Sequence, residues 1–238
     1  MNFGHQTIHK KKKMNQLSTP IPKERLVQIK SGDQILLRFM QKEDLEGIWN
    51  NFNEIVKHQD YLPVYTPVVS DWEKNSWYRE LTAPPNFCLV AIDPLHTRAS
   101  GASKNSSTTK HSKLFKPSKE SHASDVFIAG QLTIENLHWE AAPHVGQLGI
   151  IIHERYRNQG LGFHLIEFAK EIAKSRGKKK LILSTFTDNK PGIHLYNKCG
   201  FSTVGTYTKQ YFLKDRYIDE LLMECWIDDN LESRNTNR

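Results

Sequence analysis

Tyr156-Arg157-Asn158-Gln159-Gly160-Leu161-Gly162 is the stretch whose reading decides the fold. The residues before it, Val145–His153, are rich in Ile and predict a strand. The residues after it, Gly160–Arg176, set Leu161, Leu165, Phe168, Ile172 and Ala173 on one face at helical spacing. The heptapeptide is therefore a strand-to-helix turn carrying two glycines. Glycine lets the main chain approach a ligand closely. The first amides of a helix point outward and carry the positive end of its dipole, which suits an anion. Arg157 adds charge-assisted hydrogen bonds. The segment is expected to cradle a pyrophosphate with Arg157, Asn158, Gln159, Gly160, Leu161 and Gly162. Its R-x-x-G-x-G spacing is not a P-loop, because no Lys-Ser/Thr follows Gly162, and it lacks the first glycine of the dinucleotide fingerprint.

Working outward, Leu181–Thr187 predicts another strand. Asp188-Asn189 caps a short helix that runs to Lys198 and is closed by Gly200. Phe201–Gln210 and Asp219–Trp226 are two further strands, with a turn near Lys214-Asp215. On the N-terminal side, Leu26–Ile29 and Gln34–Phe39 flank a turn at Ser31-Gly32-Asp33 and read as a hairpin. Glu43–Lys57 has helical periodicity. Asp71 is placed to cap a second helix that carries Trp72, Trp77, Tyr78 and Leu81 and stops at Pro84-Pro85. Phe87–Ile92 and Val126–Ile134 are strands. Helices interleaved with strands in this order predict an α/β (α+β) fold built on a mixed sheet.

Charge is uneven along the chain. The whole sequence carries +7, but residues 1–30 hold seven basic residues against one acid, and residues 97–124 hold six against one. The rest is mildly acidic, so net charge gives no case for nucleic acid as a partner. Residues 1–25 read as a flexible basic tail, 229–238 as a C-terminal tail, and 26–228 as a single domain. Within that domain, 97–124 has eight serines, three threonines and only Leu114 and Phe115 as large apolar groups. It reads as a low-complexity insertion between two strands, too poor in apolar surface to offset the entropy of ordering. Cys88, Cys199 and Cys225 are too widely spaced for a disulfide framework or a zinc site, so no metal is expected and a reducing, cytoplasmic setting is. No apolar run reaches the roughly 20 residues of a membrane span. The basic run Lys10–Lys13 is not followed by the apolar stretch of a secretory signal.

A second segment, Asn189-Lys190-Pro191-Gly192-Ile193-His194-Leu195-Tyr196-Asn197-Lys198-Cys199-Gly200-Phe201, lies downstream of the cradle. Together the two segments resemble the GNAT superfamily of N-acetyltransferases, and Tyr217–Met223 is similar to a strand that often follows in that family. The resemblance spans roughly residues 34–226, the insertion excluded. It implies a mostly antiparallel sheet of six to seven strands, flanked by helices and splayed beside the cofactor. It implies acetyl-coenzyme A as cosubstrate, with pyrophosphate on 157–162, the pantetheine arm along the backbone of Ile150, Ile151 and Ile152, and Asn189 and Tyr196 at the thioester end. A primary amine, of a small molecule or a protein, would attack the thioester directly in a ternary complex. Tyr196 would protonate the departing thiolate; the other reading of Tyr196 is an aromatic that packs the short helix on the sheet. Asn189 reads as a helix cap, a cofactor contact, or both. The protein is expected to be a monomer or homodimer with no membrane partner.

One position departs from the family. Gln147 stands where many relatives carry a Glu that takes the amine proton, and an amide cannot serve as that base. Glu135, His144, His153 or a chain of waters are the alternatives. The missing Glu also keeps open a different class of function, a non-catalytic acetyl-coenzyme A sensor or interaction module. Tyr61, Tyr65, Trp72, Trp77 and Tyr78 fall where the family builds its acceptor side and read either as pocket lining or, for Trp72 and Trp77, as core.

Overall fold

The computed structural model describes residues 21–58, 61–96 and 127–228. The expected insertion and C-terminal tail, and residues 1–20 of the expected N-terminal tail, lie outside these. Eight strands form one sheet: β1 (Glu24–Gln28), β2 (Gln34–Phe39), β3 (Phe87–Ile92), β4 (Ile128–Asn136), β5 (Val145–Ile152), β6 (Lys180–Phe186), β7 (Ser202–Leu213) and β8 (Arg216–Trp226). Helices α1 (Leu45–His58), α2 (Asp71–Thr82), α3 (Leu161–Ser175) and α4 (Lys190–Lys198) flank it. The strands lie in the order β1-β2-β3-β4-β5-β6-β8-β7. The sheet is one strand larger than the six to seven expected, because both arms of the first hairpin join it, β2 pairing with β3 from Leu36↔Ile92 to Phe39↔Leu89. β1 also starts at Glu24, two residues inside the expected tail.

Every pairing is antiparallel except β5–β6. A parallel pair needs a crossover connection, and α3 supplies it. The alternation of side chains then sorts the core into two layers. Leu89, Ala91, Leu132, Ile134 and Leu148 face α3, where Leu161, Leu165, Phe168 and Ile172 close the larger core. Cys88 and Val90 face the other way and pack under α1 and α2 with Ile48, Trp49 and Leu81. β3 is buried along its whole length because both layers cover it.

Side chains tie α1 to the sheet. Arg38 donates two hydrogen bonds to the buried Asp44 at 2.7 and 2.8 Å, and the same carboxylate accepts from the Gln41 amide, which fixes the turn into α1. Asn51 donates from its side-chain amide to the Ile128 carbonyl at 2.8 Å. The N-cap of α2 is Ser70 rather than the expected Asp71, which forms the first residue of the helix. Trp77 stacks edge-on against Trp49 at 5.1 Å, as a core residue should. Trp72 does not join it and is 73% exposed, because it lies on the outer face of α2.

Candidate acyl-transfer site

The sheet forks at its centre. β5 pairs with β4 along its whole length, from Gly146↔Asn136 to Ile152↔Gly130. Its pairing with β6 covers only Val145↔Lys180, Gly146↔Leu181 and Gln147↔Ile182. Beyond Ile182, β6 continues on β8 alone as far as Phe186↔Glu220. The β6-facing edge of Leu148–Ile152 therefore presents backbone groups with no strand opposite them. Such groups require a partner, and an extended ligand carrying amides can supply one. Of the expected pantetheine-binding residues, Ile150 and Ile152 turn their backbone groups to this open edge, whereas Ile151, opposite Gln131, turns its own toward β4; all three are half-buried.

The edge leads into the cradle. After β5 the chain makes a short 3₁₀ turn at Glu154–Tyr156 and enters α3 through Gly160, the N-cap, at φ +88°. Only glycine adopts that conformation without strain, and a side chain added at Gly160 would meet nothing within 4 Å. The space above Gly160 is thus open beside the unpaired amides of the first turn of α3. Gly162 differs. It is buried, and a Cβ there would lie 2.7 Å from Leu195 Cδ2, so its lack of a side chain lets α4 pack on α3. Arg157 bends back and donates from Nε to the Ile152 carbonyl at 3.1 Å, satisfying the last acceptor of β5. The Lys30 amide donates to the Gln159 carbonyl at 2.9 Å, so the first hairpin buttresses the loop. Asn158 sits in the loop at φ +61°, exposed to solvent.

Asn189 and Tyr196 approach from the far arm of the fork. Asn189 caps α4, its Oδ1 accepting from the Gly192 amide at 3.1 Å while its Nδ2 donates to Thr185 Oγ1 on β6 at 2.9 Å. A Cβ at Gly192 would lie 2.5 Å from Asn189 Nδ2, so the small residue at that motif position makes room for the cap. Tyr196 is buried, its ring set against Phe201 at 6.2 Å. No described residue hydrogen-bonds its hydroxyl. Burial, with a smaller contribution from Cys199, pushes the Tyr196 phenol up to about 12, so it is protonated at neutral pH.

The candidate bases separate clearly. His153 lies at the cradle end; its Nδ1 accepts from the Arg155 amide at 3.3 Å and its ring packs on Phe127. His144 lies at the closed end of the fork, where its carbonyl accepts from the Lys179 and Lys180 amides. Glu135 is the direct cross-strand partner of Gln147. On the same face, the free arm of β6 ends at a small cavity lined by Tyr61, Phe186, Leu213, Arg216 and Ile218. Of the five aromatics expected on this side, Trp77 and Tyr78 pack into the core under α1, whereas Tyr61, Tyr65 and Trp72 are exposed. The role of Gly162 and the pairing of Glu135 with Gln147 both depend on residues distant in sequence; only the spacing of two strands about their connection hints at the latter.

A forked mixed sheet with a glycine-capped helix at its mouth is an architecture that this chain shares with solved acetyltransferase structures. The structure superimposes on yncA from Salmonella typhimurium, solved with its cofactor acetyl-CoA, with a TM-score of 0.64 and 16% identity over 82% of this chain and 95% of that one. Residues 116–201 match the model of the acetyltransferase (GNAT) family. It is 30% identical over 97 residues to the L-amino acid N-acetyltransferase AaaT of Escherichia coli (strain K12), covering 40% of this chain and 60% of that protein. It is 36% identical over 74 residues to the streptothricin acetyltransferase of Escherichia coli, covering 31% of this chain and 42% of that protein. The match thus spans less than two thirds of either relative. No helix among the described residues is long and apolar enough to cross a membrane.

Proposed function

We propose that this protein transfers the acetyl group of acetyl-coenzyme A to a primary amine of a small molecule, by direct attack in a ternary complex in the cytoplasm. The observation that carries the reading is the fork, in which the unpaired edge of β5 runs directly into the amide-lined turn at Gly160. The open backbone edge over Ile150–Ile152 pairs with the pantetheine amides, Ile150 and Ile152 offering the groups that β4 leaves free. The amides of Asn158, Gln159, Gly160, Leu161 and Gly162 hold the pyrophosphate, and Arg157 adds positive charge. Asn189 keeps α4 docked on β6 and lies beside the thioester end. Acetyl-coenzyme A supplies an activated carbonyl. The protein supplies proximity, by holding amine and thioester in one groove.

In this reading Tyr196 is the proton donor to the departing thiolate. A phenol held near 12 is a poor acid toward a free thiol of pKa about 8.5, so it acts first as a hydrogen-bond donor to the developing charge and transfers its proton as the carbon–sulfur bond breaks. The small-molecule acceptor is suggested by the named relatives, which act on amino acids and on streptothricin. Thiol release from acetyl-coenzyme A with a panel of amino acids, polyamines, antibiotic amines and N-terminal peptides tests the proposal. Turnover with one small-molecule class is the expected result. Gln147 favours a second reading, a non-catalytic sensor. Tight acetyl-coenzyme A binding by calorimetry, with no thiol release across the panel, would support it instead.

A further inference from the structure

Gln147 stands where the fork opens, and its amide cannot take the proton that an acceptor amine must lose before it attacks. Residues directly opposite in an antiparallel pair project from the same face of the sheet. Glu135 is paired with Gln147, Thr133 with Gly149 and Gln131 with Ile151. The same row of β3 carries Cys88 and Val90, which pack under α1 and α2. Glu135 therefore stands on the acceptor face, opposite the last β5 residue paired with β6, where the fork begins to open. Gly149 keeps the surface bare at this point; a Cβ there would lie 2.9 Å from Thr133 Oγ1.

The row across the sheet at this level runs Glu135, Gln147, Ile182, Glu224. Glu224 is ion-paired with Lys180. Glu220, farther along the free arm, accepts a hydrogen bond from the Tyr211 hydroxyl at 2.8 Å. Glu135 has no ion-pair partner among the described residues and is half-buried. We propose that Glu135 is the general base of the reaction, the carboxylate having moved from the strand that carries Gln147 to the strand paired with it. This inference rests on the transferase reading above.

In the reaction, Glu135 takes one proton from the substrate ammonium, directly or through one water, and later releases it to solvent. The freed nitrogen lone pair forms the C–N bond at the thioester carbonyl. As the C–S bond breaks, the thiolate leaves and is protonated, and the second nitrogen proton is lost, giving the amide, free coenzyme A thiol and one proton. The surroundings suit the role. Burial, opposed by the Thr133 hydroxyl, raises the Glu135 carboxyl above the usual carboxylate range; Glu80 on α2 adds to the rise and His138 offsets part of it. The buried Cys88 thiol on the facing row is pushed far up, mainly by burial, and stays neutral. A raised carboxylate pKa makes a better base, and its loss of charge places the acid limb of the rate profile above the position of an ordinary Glu.

The test compares the full-length protein with Glu135→Gln and with the double variant Glu135→Gln/Gln147→Glu. Turnover is read against pH, and acetyl-coenzyme A affinity is read by calorimetry. Glu135→Gln should lower kcat about 10²-fold at neutral pH, leave cofactor affinity unchanged, and approach the wild-type rate at high pH, where the amine deprotonates unaided. The double variant should regain activity, since the carboxylate returns to the facing strand. A Glu135→Gln enzyme with the wild-type rate and profile would overturn the proposal. So would a loss that is equal at every pH and not rescued, which would mark Glu135 as structural. A wild-type protein that binds acetyl-coenzyme A but acetylates no amine would overturn the transferase reading, and the base with it.

Discussion

The two faces of the sheet are built differently. On the α3–α4 face, a continuous apolar core runs from Leu148 through Leu165 and Phe168 to Tyr196 and Phe201, and its buried polar side chains are paired: Tyr156 donates to Asp93, Lys178 to the Pro143 and Val145 carbonyls, and Asn189 to Thr185. On the α1–α2 face, a smaller core shares its layer with the half-buried polar residues Thr133 and Glu135. Two buried polar atoms there, Trp49 Nε1 and Gln131 Oε1, lack partners among the described residues. Buried polar atoms are expensive to leave unpaired. The contrast points to a division of labour. Under the proposed function, the cofactor would be held mainly by main-chain groups at the open edge of β5 and the first turn of α3, whereas the acceptor would meet particular side chains whose placement is set by strand pairing.

Substitutions on the two faces should therefore fail in different ways. The largest effect is expected from Gly160→Trp, which strains a φ of +88° and fills the open cradle; calorimetry should detect no acetyl-coenzyme A binding, and retained affinity would remove the cradle from the site. Next, Tyr196→Phe should lower kcat about 10²-fold with cofactor affinity preserved, and equal turnover would return Tyr196 to a packing role. Gly162→Val should cost about 1–3 kcal/mol of stability, because its side chain would drive into Leu195. A thermal melt measures that loss. The smallest effect belongs to the acceptor face: Trp72→Ala should change stability by no more than about 0.5 kcal/mol, since the ring is 73% exposed. Any kinetic change should appear in KM for the amine. A large loss of stability there would contradict the exposed placement.

Much of the cofactor face is legible in the amino-acid sequence. The cradle at Arg157–Gly162 and the cap at Asn189 are local: residues three to six apart dictate a turn, a helix start and a capping bond, and Asn189 does cap α4 through Gly192. The acceptor face is less legible. Trp72 and Trp77 have the same residue type on the same helix, yet one faces solvent and the other packs on Trp49, because the weak apolar periodicity of α2 does not say which side meets α1. Gly162 has a second constraint that the sequence does not reveal. Its context marks a glycine whose amide can meet a ligand, and its tertiary neighbour Leu195, on a different helix, also leaves no room there for a side chain.

Side-chain period and hydrogen bonds between near neighbours suffice to set the order of strands and helices, the strand-to-helix cradle and the capped short helix, so all of these can be read from the chain alone. Three features cannot be, and they emerge only in the folded molecule. Both arms of the first hairpin join the sheet, β5 leaves β6 after Gln147, and Glu135 stands opposite Gln147. Each depends on register between strands, and register is settled by the packing of whole faces rather than by any segment read in isolation.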